Sequence, residues 1–395
     1  MEKRNVPKLR FKGFEDEWEK DTLGKISRII MGQSPSSSAY NDELEGIPLV
    51  QGNADIYKRV TKPRFYTSEI TKRCEIDDII MSVRAPVGTI AIANQECCIG
   101  RGVCSIKSKM NQEYLYQVLL NQESKWKNIC QGSTFESINS NDIKNLVINT
   151  PSLAEQTKIA NFLSNVDKII EEQEGKVKDL ELYKKGMMQK IFKQEIRFKD
   201  DNGQDYPEWE EKKLSEVLTE TKAKNTGDLK VCSVAVKKGV IDQIEHLGRS
   251  FAAKDTSNYK LVKKGDLIYT KSPTGKFPYG IVKQSFLDED VIVSPLYGVF
   301  EPMNYFLGYI LHSYFYYKEN TNNYLHSIVQ KGAKNTINIS NETFLSKKIR
   351  LPINLEEQTK IANFLSNIDK ILEEENKKLE DLRQWKKGLL QQMFV

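Results

Sequence analysis

A set of side chains suited to reading nucleic acid sits on short segments punctuated by Gly and Pro. Gln33 and Ser34 lie in Gly32-Gln33-Ser34-Pro35, Arg84 stands before Ala85-Pro86, Arg101 lies between Gly100 and Gly102, and Gln131 and Ser133 flank Gly132. The second half repeats the style, with Lys271 and Lys276 around Ser272-Pro273-Thr274-Gly275 and with Lys331, Lys334 and Asn335 around Gly332. Arg and Lys match the O6 and N7 acceptors of guanine, Gln and Asn match adenine, and small hydroxyls reach phosphates. Polar loop residues are common on any surface, so these DNA-binding candidates carry weight as a set more than one by one.

No catalytic motif accompanies them. The chain contains no Pro-Pro dipeptide, which removes the Asn/Asp-Pro-Pro-aromatic motif of an adenine methyltransferase, and it has no GxxxxGK[ST] phosphate loop. Glu210-Glu211-Lys212 has the composition of a nuclease carboxylate-lysine pair, but it belongs to a charged approach to a helix and reads as a solvated face. The six cysteines form no CxxC pair and the histidines are His246, His312 and His326, so buried reduced thiols are expected and no metal site is. The charged start MEKRNVPKLRFKGF and the lack of any run near ~18 apolar residues give no reason to expect export or membrane insertion; a cytoplasmic location is expected. Net charge is +5, with 21 basic and 19 acidic residues in 1–150 and 24 and 20 in 193–351. That suits a modest phosphate-facing surface and not a histone-like one.

These loops must be held by something, and the strongest organising signal is a repeat. Residues 155–192 and 357–394 are identical at 24 of 38 positions without a gap, both opening EQTKIANFLSN. Ser152 before Glu155, and Asn354 before Glu357, have capping-box spacing for a helix start. Apolar residues then recur every three or four positions, at Ile159, Phe162, Leu163, Val166, Ile169, Ile170, Val177 and Leu180. The copy has Ile361, Phe364, Leu365, Ile368, Ile371, Leu372, Leu379 and Leu382. Each amphipathic helix is the natural partner of the other, and an antiparallel pair is expected. Thirty-eight residues make a rod of up to roughly 57 Å, and the stripe's loss of apolar residues at 173–176 reads as a stutter or a break. Lys158, Asn161, Asn165, Lys168, Lys184 and Lys185 recur as Lys360, Asn363, Asn367, Lys370, Lys386 and Lys387. They are read as outward positions not needed for pairing, a copied surface for two copies of a partner.

The larger segments also echo each other. Arg10-Phe11-Lys12 and Trp18 answer to Arg197-Phe198-Lys199 and Trp209, and 78–88 answers to 266–275. Short β-rich runs at 79–83, 89–93, 231–236 and 291–293, with helices near 113–129 and 303–318, make each an α+β lobe. The cluster Tyr314, Phe315, Tyr316 and Tyr317 reads as core rather than as a base-stacking platform. The expected fold is therefore α+β, two pseudo-repeated α/β lobes joined by a pair of long antiparallel coiled-coil helices. The segments are 1–150 (first lobe), 151–192 (first helix), 193–351 (second lobe) and 352–395 (second helix).

This order of lobe, long helix, lobe and copied helix resembles the specificity subunit of type I restriction–modification systems over essentially the whole chain. The motifs that carry the likeness are the EQxxIAxFLSxxD helix starts, Gly32-Gln33-Ser34-Pro35-Ser36 leading to Gly46-Ile47-Pro48-Leu49-Val50, the 78–88 segment, and Gln131-Gly132-Ser133-Thr134 with its counterpart Lys331-Gly332-Ala333-Lys334. The second lobe has no clear Gly-x-Ser-Pro element. The resemblance implies target recognition lobes that each read half of a split, asymmetric double-stranded DNA site, with the helices as spacer. It implies two adenine methyltransferase subunits and restriction/translocase subunits as partners, with S-adenosylmethionine, Mg and ATP bound by them and no cofactor on this chain. From the residues alone, a stand-alone two-lobed DNA-binding regulator, a coiled-coil scaffold protein and an enzyme with an unfamiliar motif are the alternatives.

Overall fold

Short runs rich in Ile, Val and Cys, bounded by Gly, Pro and Asp, become strands because β-branched side chains pack well on a pleated surface. The computed structural model describes residues 5–130, 137–331 and 337–395, the side chains of 127–130 and 330–331 excepted. In the first lobe a sheet runs in the order Ser27–Met31, Val103–Ser108, Ile79–Ser82, Ile90–Ile92, Val60–Thr61 and Ile56–Tyr57. A second sheet holds Tyr40–Asn41, Phe65–Thr67, Ile47–Val50, Cys97–Ile99 and Arg73–Cys74. The second lobe reproduces the first four places of the larger sheet with Leu218–Glu220, Gly298–Pro302, Leu267–Tyr269 and Val282–Gln284. Each lobe also pairs its entering and leaving strands antiparallel, Glu19–Thr22 with Val147–Thr150 and Glu210–Lys213 with Lys348–Leu351. The module is thus duplicated in the order of these strands as well as in sequence, while the five-stranded sheet of the first lobe has no five-stranded counterpart among the described residues of the second.

Behind each sheet lies one helix, Gln112–Cys130 in the first lobe and Tyr305–Tyr314 in the second. The second is shorter than the sequence pattern predicts. It stops because Asn320 Nδ2 and Thr321 Oγ1 donate to the carbonyls of Tyr314 and Phe315, satisfying groups that a continued helix would have used, and a new helix, Lys318–Leu325, begins. Phe315 is buried and Tyr314, Tyr316 and Tyr317 pack against the same core, as expected of a core cluster. Among the described side chains, Cys74, Cys97, Cys98, Cys104 and Cys232 are free and buried.

The long helices run Leu153–Phe192 and Leu355–Met393, 40 and 39 residues without a break at 173–176. Their starts differ from the expected capping box. Ser152 Oγ and Asn354 Oδ1 accept the backbone N–H groups of Glu155 and Glu357, but the two carboxylates turn away from the caps, Glu155 to Arg10 and Glu357 to the indole of Trp209. Ile169 and Ile371, counted in the apolar stripe, are exposed at 45% and 46%.

Two compact units cut across the four segments of the chain. The first comprises Met1–Gly175 with Asn376–Val395, the second Lys176–Glu375. In the first unit Ile159, Leu163 and Val166 share a core with Leu389, Met393 and Phe394, while further along Glu174 meets Arg383 at 2.6 Å. Rising numbers on one helix therefore face falling numbers on the other, an antiparallel pairing. In the second unit Met188 and Ile191 pack with Ile361 and Leu365, and Lys176 meets Glu375 at 3.0 Å, again antiparallel.

Candidate nucleic-acid interface

The first lobe gathers its predicted loop residues at one end of the sheet by backbone contact. Gly32 N–H donates to Val103 O and Gln33 N–H to Ile99 O, at 3.0 and 2.9 Å. A side chain at Gly32 would sit 2.1 Å from Gly100 O, and one at Gly102 would sit 2.1 Å from Gln51 O, so only glycine lets these strands close on each other. Ser34 Oγ accepts the Arg101 N–H at 3.1 Å, and Thr71 Oγ1 donates to Gln33 O. Arg84 joins the same end, because Val83 N–H donates to Gly102 O and Arg84 bridges to Ser137. Gln33, Ser34, Arg84 and Arg101 are thus assembled, with Gln33, Arg84 and Arg101 exposed. Gln131 and Ser133 lie outside the described residues.

Charge pairing separates these arginines from most others. Arg10, Arg59, Arg64, Arg73, Arg197, Arg350 and Arg383 each meet a carboxylate within 4 Å. Among the described residues, Arg84 and Arg101 meet none, which leaves both guanidinium forks available to a base edge or a phosphate. Gln51 and Thr71 belong to the same cluster and were not among the sequence candidates. The signal for Gln51 was its place between the strand Ile47–Val50 and Gly52.

In the second lobe Lys271 has a left-handed backbone, φ 51°, and is half-buried at the start of the 271–277 turn, with Lys276 exposed at its tip. Burial and the neighbouring Lys260 hold the Lys271 ammonium below its ordinary pKa, and Glu220 opposes them. Lys260 is lowered by burial too. Two partly desolvated cations around one carboxylate favour an incoming anion, and Lys260 is the residue that sequence reasoning missed here. The backbone of Lys331 lies in the strand Gln330–Lys331 paired with Ile337–Asn338, while Lys334 and Asn335 lie outside the described residues.

On the long helices Asn161, Asn165, Lys168, Asn363, Asn367 and Lys370 are exposed. Lys158 is also exposed but lies 5.3 Å from the Phe11 ring, and Lys360 donates to Lys199 O and Asp201, so both clamp the entry segment of their own lobe. The reading of Lys184 and Lys386 as outward positions is corrected. Lys184, with its side chain 4% exposed, pairs with Asp369, and Lys386 pairs with Asp167 at 2.5 Å, so these lysines join the two helices. Lys185 lies 5.8 Å from the Tyr317 ring.

Among the described residues no group of three or more His, Cys, Asp or Glu could hold a metal, and no helix is long and apolar enough to cross a membrane. The chain is 36% identical over 204 residues to the putative type I restriction enzyme MjaX specificity subunit of Methanocaldococcus jannaschii, covering 50% of this chain and 48% of that one. It is 26% identical over 407 residues to the MjaVIII specificity subunit of the same organism, covering 95% and 91%. The chain therefore spans about half of the first relative and most of the second. The crystal structure of a type I restriction-modification system S subunit from M. genitalium superposes over 99% of both chains with a TM-score of 0.62 at 16% identity, a likeness of fold. The pattern of the type I restriction modification DNA specificity domain matches residues 15–182 and again 206–384, and the chain belongs to that family.

Proposed function

We propose that this chain is the non-catalytic recognition subunit that reads a bipartite, asymmetric double-stranded DNA site and directs adenine methyltransferase and restriction subunits to it inside the cell. The observation that carries the reading is a duplicated framework with unlike reading ends. The order of four strands of the main sheet is copied between lobes, yet one loop end presents Gln33, Arg84 and Arg101 and the other Lys260, Lys271 and Lys276. Different side chains on one scaffold suit two different half-sites. The exposed copies Asn161, Asn165 and Lys168, and Asn363, Asn367 and Lys370, suit two copies of a methyltransferase subunit. S-adenosylmethionine, Mg and ATP belong in this reading to the partner subunits. Mapping methylated adenines in cells with and without the gene tests it, followed by exchange of residues 1–150 for another lobe. One half-site should change and the other persist; change in both halves, or no gene-dependent methylation, refutes it.

A further inference from the structure

Apolar packing between a lobe and a helix is non-directional, so it resists separation more than rotation. Rotation is restrained by hydrogen bonds to fixed points, and both units carry such points at matching places. Near each helix start, Gln156 Nε2 donates to Pro151 O at 2.8 Å while its Oε1 accepts the Asn111 N–H. Gln358 donates likewise to Pro352 O and accepts from Asn304 Nδ2. Three turns further on is a second point. Asp167 Oδ1 accepts from Lys386 on the opposite helix and Oδ2 accepts from Gln117 Nε2 of the lobe helix at 2.9 Å. In the second unit Asp369 Oδ1 accepts from Lys184 and Oδ2 from the Tyr309 hydroxyl. The same oxygens play the same parts although the lobe donor has changed from Gln to Tyr. Gln117 and Tyr309 are buried, which makes these charge-assisted bonds directional and demanding.

We propose that Asp167 and Asp369 are positioning residues that lock the rotation of each lobe on the helix pair of its own unit, and thereby the spacer length the protein accepts between half-sites. The proposal rests on the split-site reading above. Eleven residues separate the two points on each helix, a lever of about 16 Å at ~1.5 Å per residue. One base pair of spacer turns a half-site by about 34°, so a lobe free to roll tolerates it and a locked lobe does not.

The test uses the full-length chain expressed with its methyltransferase subunits, and adenine methylation maps sorted by spacer length. Gln117→Leu and Tyr309→Phe remove only the lobe's donor; Asp167→Asn and Asp369→Asn weaken the whole node. Half-site sequences should stay the same, while methylation at spacers one base pair longer or shorter, relative to the native length, should rise about fivefold, the effect of one lost hydrogen bond. The reversal Asp167→Lys with Lys386→Asp should restore the native ratio, since the Gln117 amide can accept as well as donate. An unchanged spacer preference in Gln117→Leu and Tyr309→Phe overturns the proposal, as does an equal fall at every spacer length. A native protein with no spacer preference would instead sink the split-site reading itself.

Discussion

Lys283 sits where a charge costs most, and replacing it with Met should stabilise the second unit. It is 3% exposed on the strand Val282–Gln284. Among the described residues it has no carboxylate within ion-pair distance, and its ammonium lies 4.5 Å from the centroid of the Tyr316 ring. Lys184 lies 4.4 Å from the same centroid and takes Asp369 for itself. His312, whose Nδ1 accepts the Gln284 N–H, is kept neutral by burial and by these two lysines. Burial first, then Lys184, push the Lys283 ammonium down to about 8 against the opposing pull of Asp369. A fall from 10.5 to about 8 is worth about 3.5 kcal/mol at ~1.4 kcal/mol per pH unit. The cation–π contact returns about 0.5–2 kcal/mol, so Lys283→Met should gain about 1.5–3 kcal/mol at pH 7. A lysine whose folded pKa is depressed costs stability below that pKa, and the cost fades as pH rises from about 8 towards 10.5. The native second unit should therefore gain stability between pH 7 and about 9.5, and the variant should show a flatter profile. Hydrogen exchange of the Leu267–Tyr269 and Val282–Gln284 amides reads this unit separately. A less stable variant at pH 7, or identical pH profiles, would refute the reasoning.

Four further outcomes are expected. Arg10→Ala strands the Glu155 carboxylate, 1% exposed and held bidentately at 2.8 Å, and should destabilise the first unit by about 3 kcal/mol in urea unfolding. Arg197→Ala should cost about 1–2 kcal/mol, because that guanidinium meets the exposed Glu208 and two backbone carbonyls instead. Gly32→Ala drives a methyl against Gly100 O, and should weaken binding to the first half-site at least about tenfold with unchanged affinity for the second, measured on half-site competitor duplexes. Asp266 is pushed up to about 6, chiefly by burial, so between pH 4 and 6 the native second unit binds the proton more readily than the unfolded chain does. Its stability should fall as pH rises through that window, and Asp266→Asn should flatten the fall seen by hydrogen exchange.

Local rules carried most of the framework. The 24 identities between residues 155–192 and 357–394 announced the paired helices, and the Gly spacing around Gln33, Ser34 and Arg101 marked loops that do converge. What escaped depends on neighbours far along the chain. Lys184 and Lys386 look like any lysine on a polar helix face, because each paired aspartate lies on the other helix, 185 and 219 residues away. Lys283 alternates with Val282 and Gln284 as an outward residue would, yet all three are buried, since His312 and the Tyr316 ring cover that face too. Gln51 and Lys260 reach their loop ends through strand pairing that periodicity alone does not specify.

The first unit closes with residues from the far end of the chain. Leu389, Met393 and Phe394 complete its core, Leu9 N–H donates to Gln392 O, and Asn149 Nδ2 donates to Val395 O. On the ribosome the two stretches that form this unit are separated by the synthesis of 176–375. Ile159, Leu163 and Val166 lack the cover of Leu389, Met393 and Phe394 while 176–375 are synthesised, a delay on the order of ten seconds or more at roughly 5–20 residues per second. A frameshift that removes only the last turns would then injure the lobe at the opposite end of the gene. During the same interval, any chaperone that shields apolar helix faces has its substrate in the first half of the nascent chain.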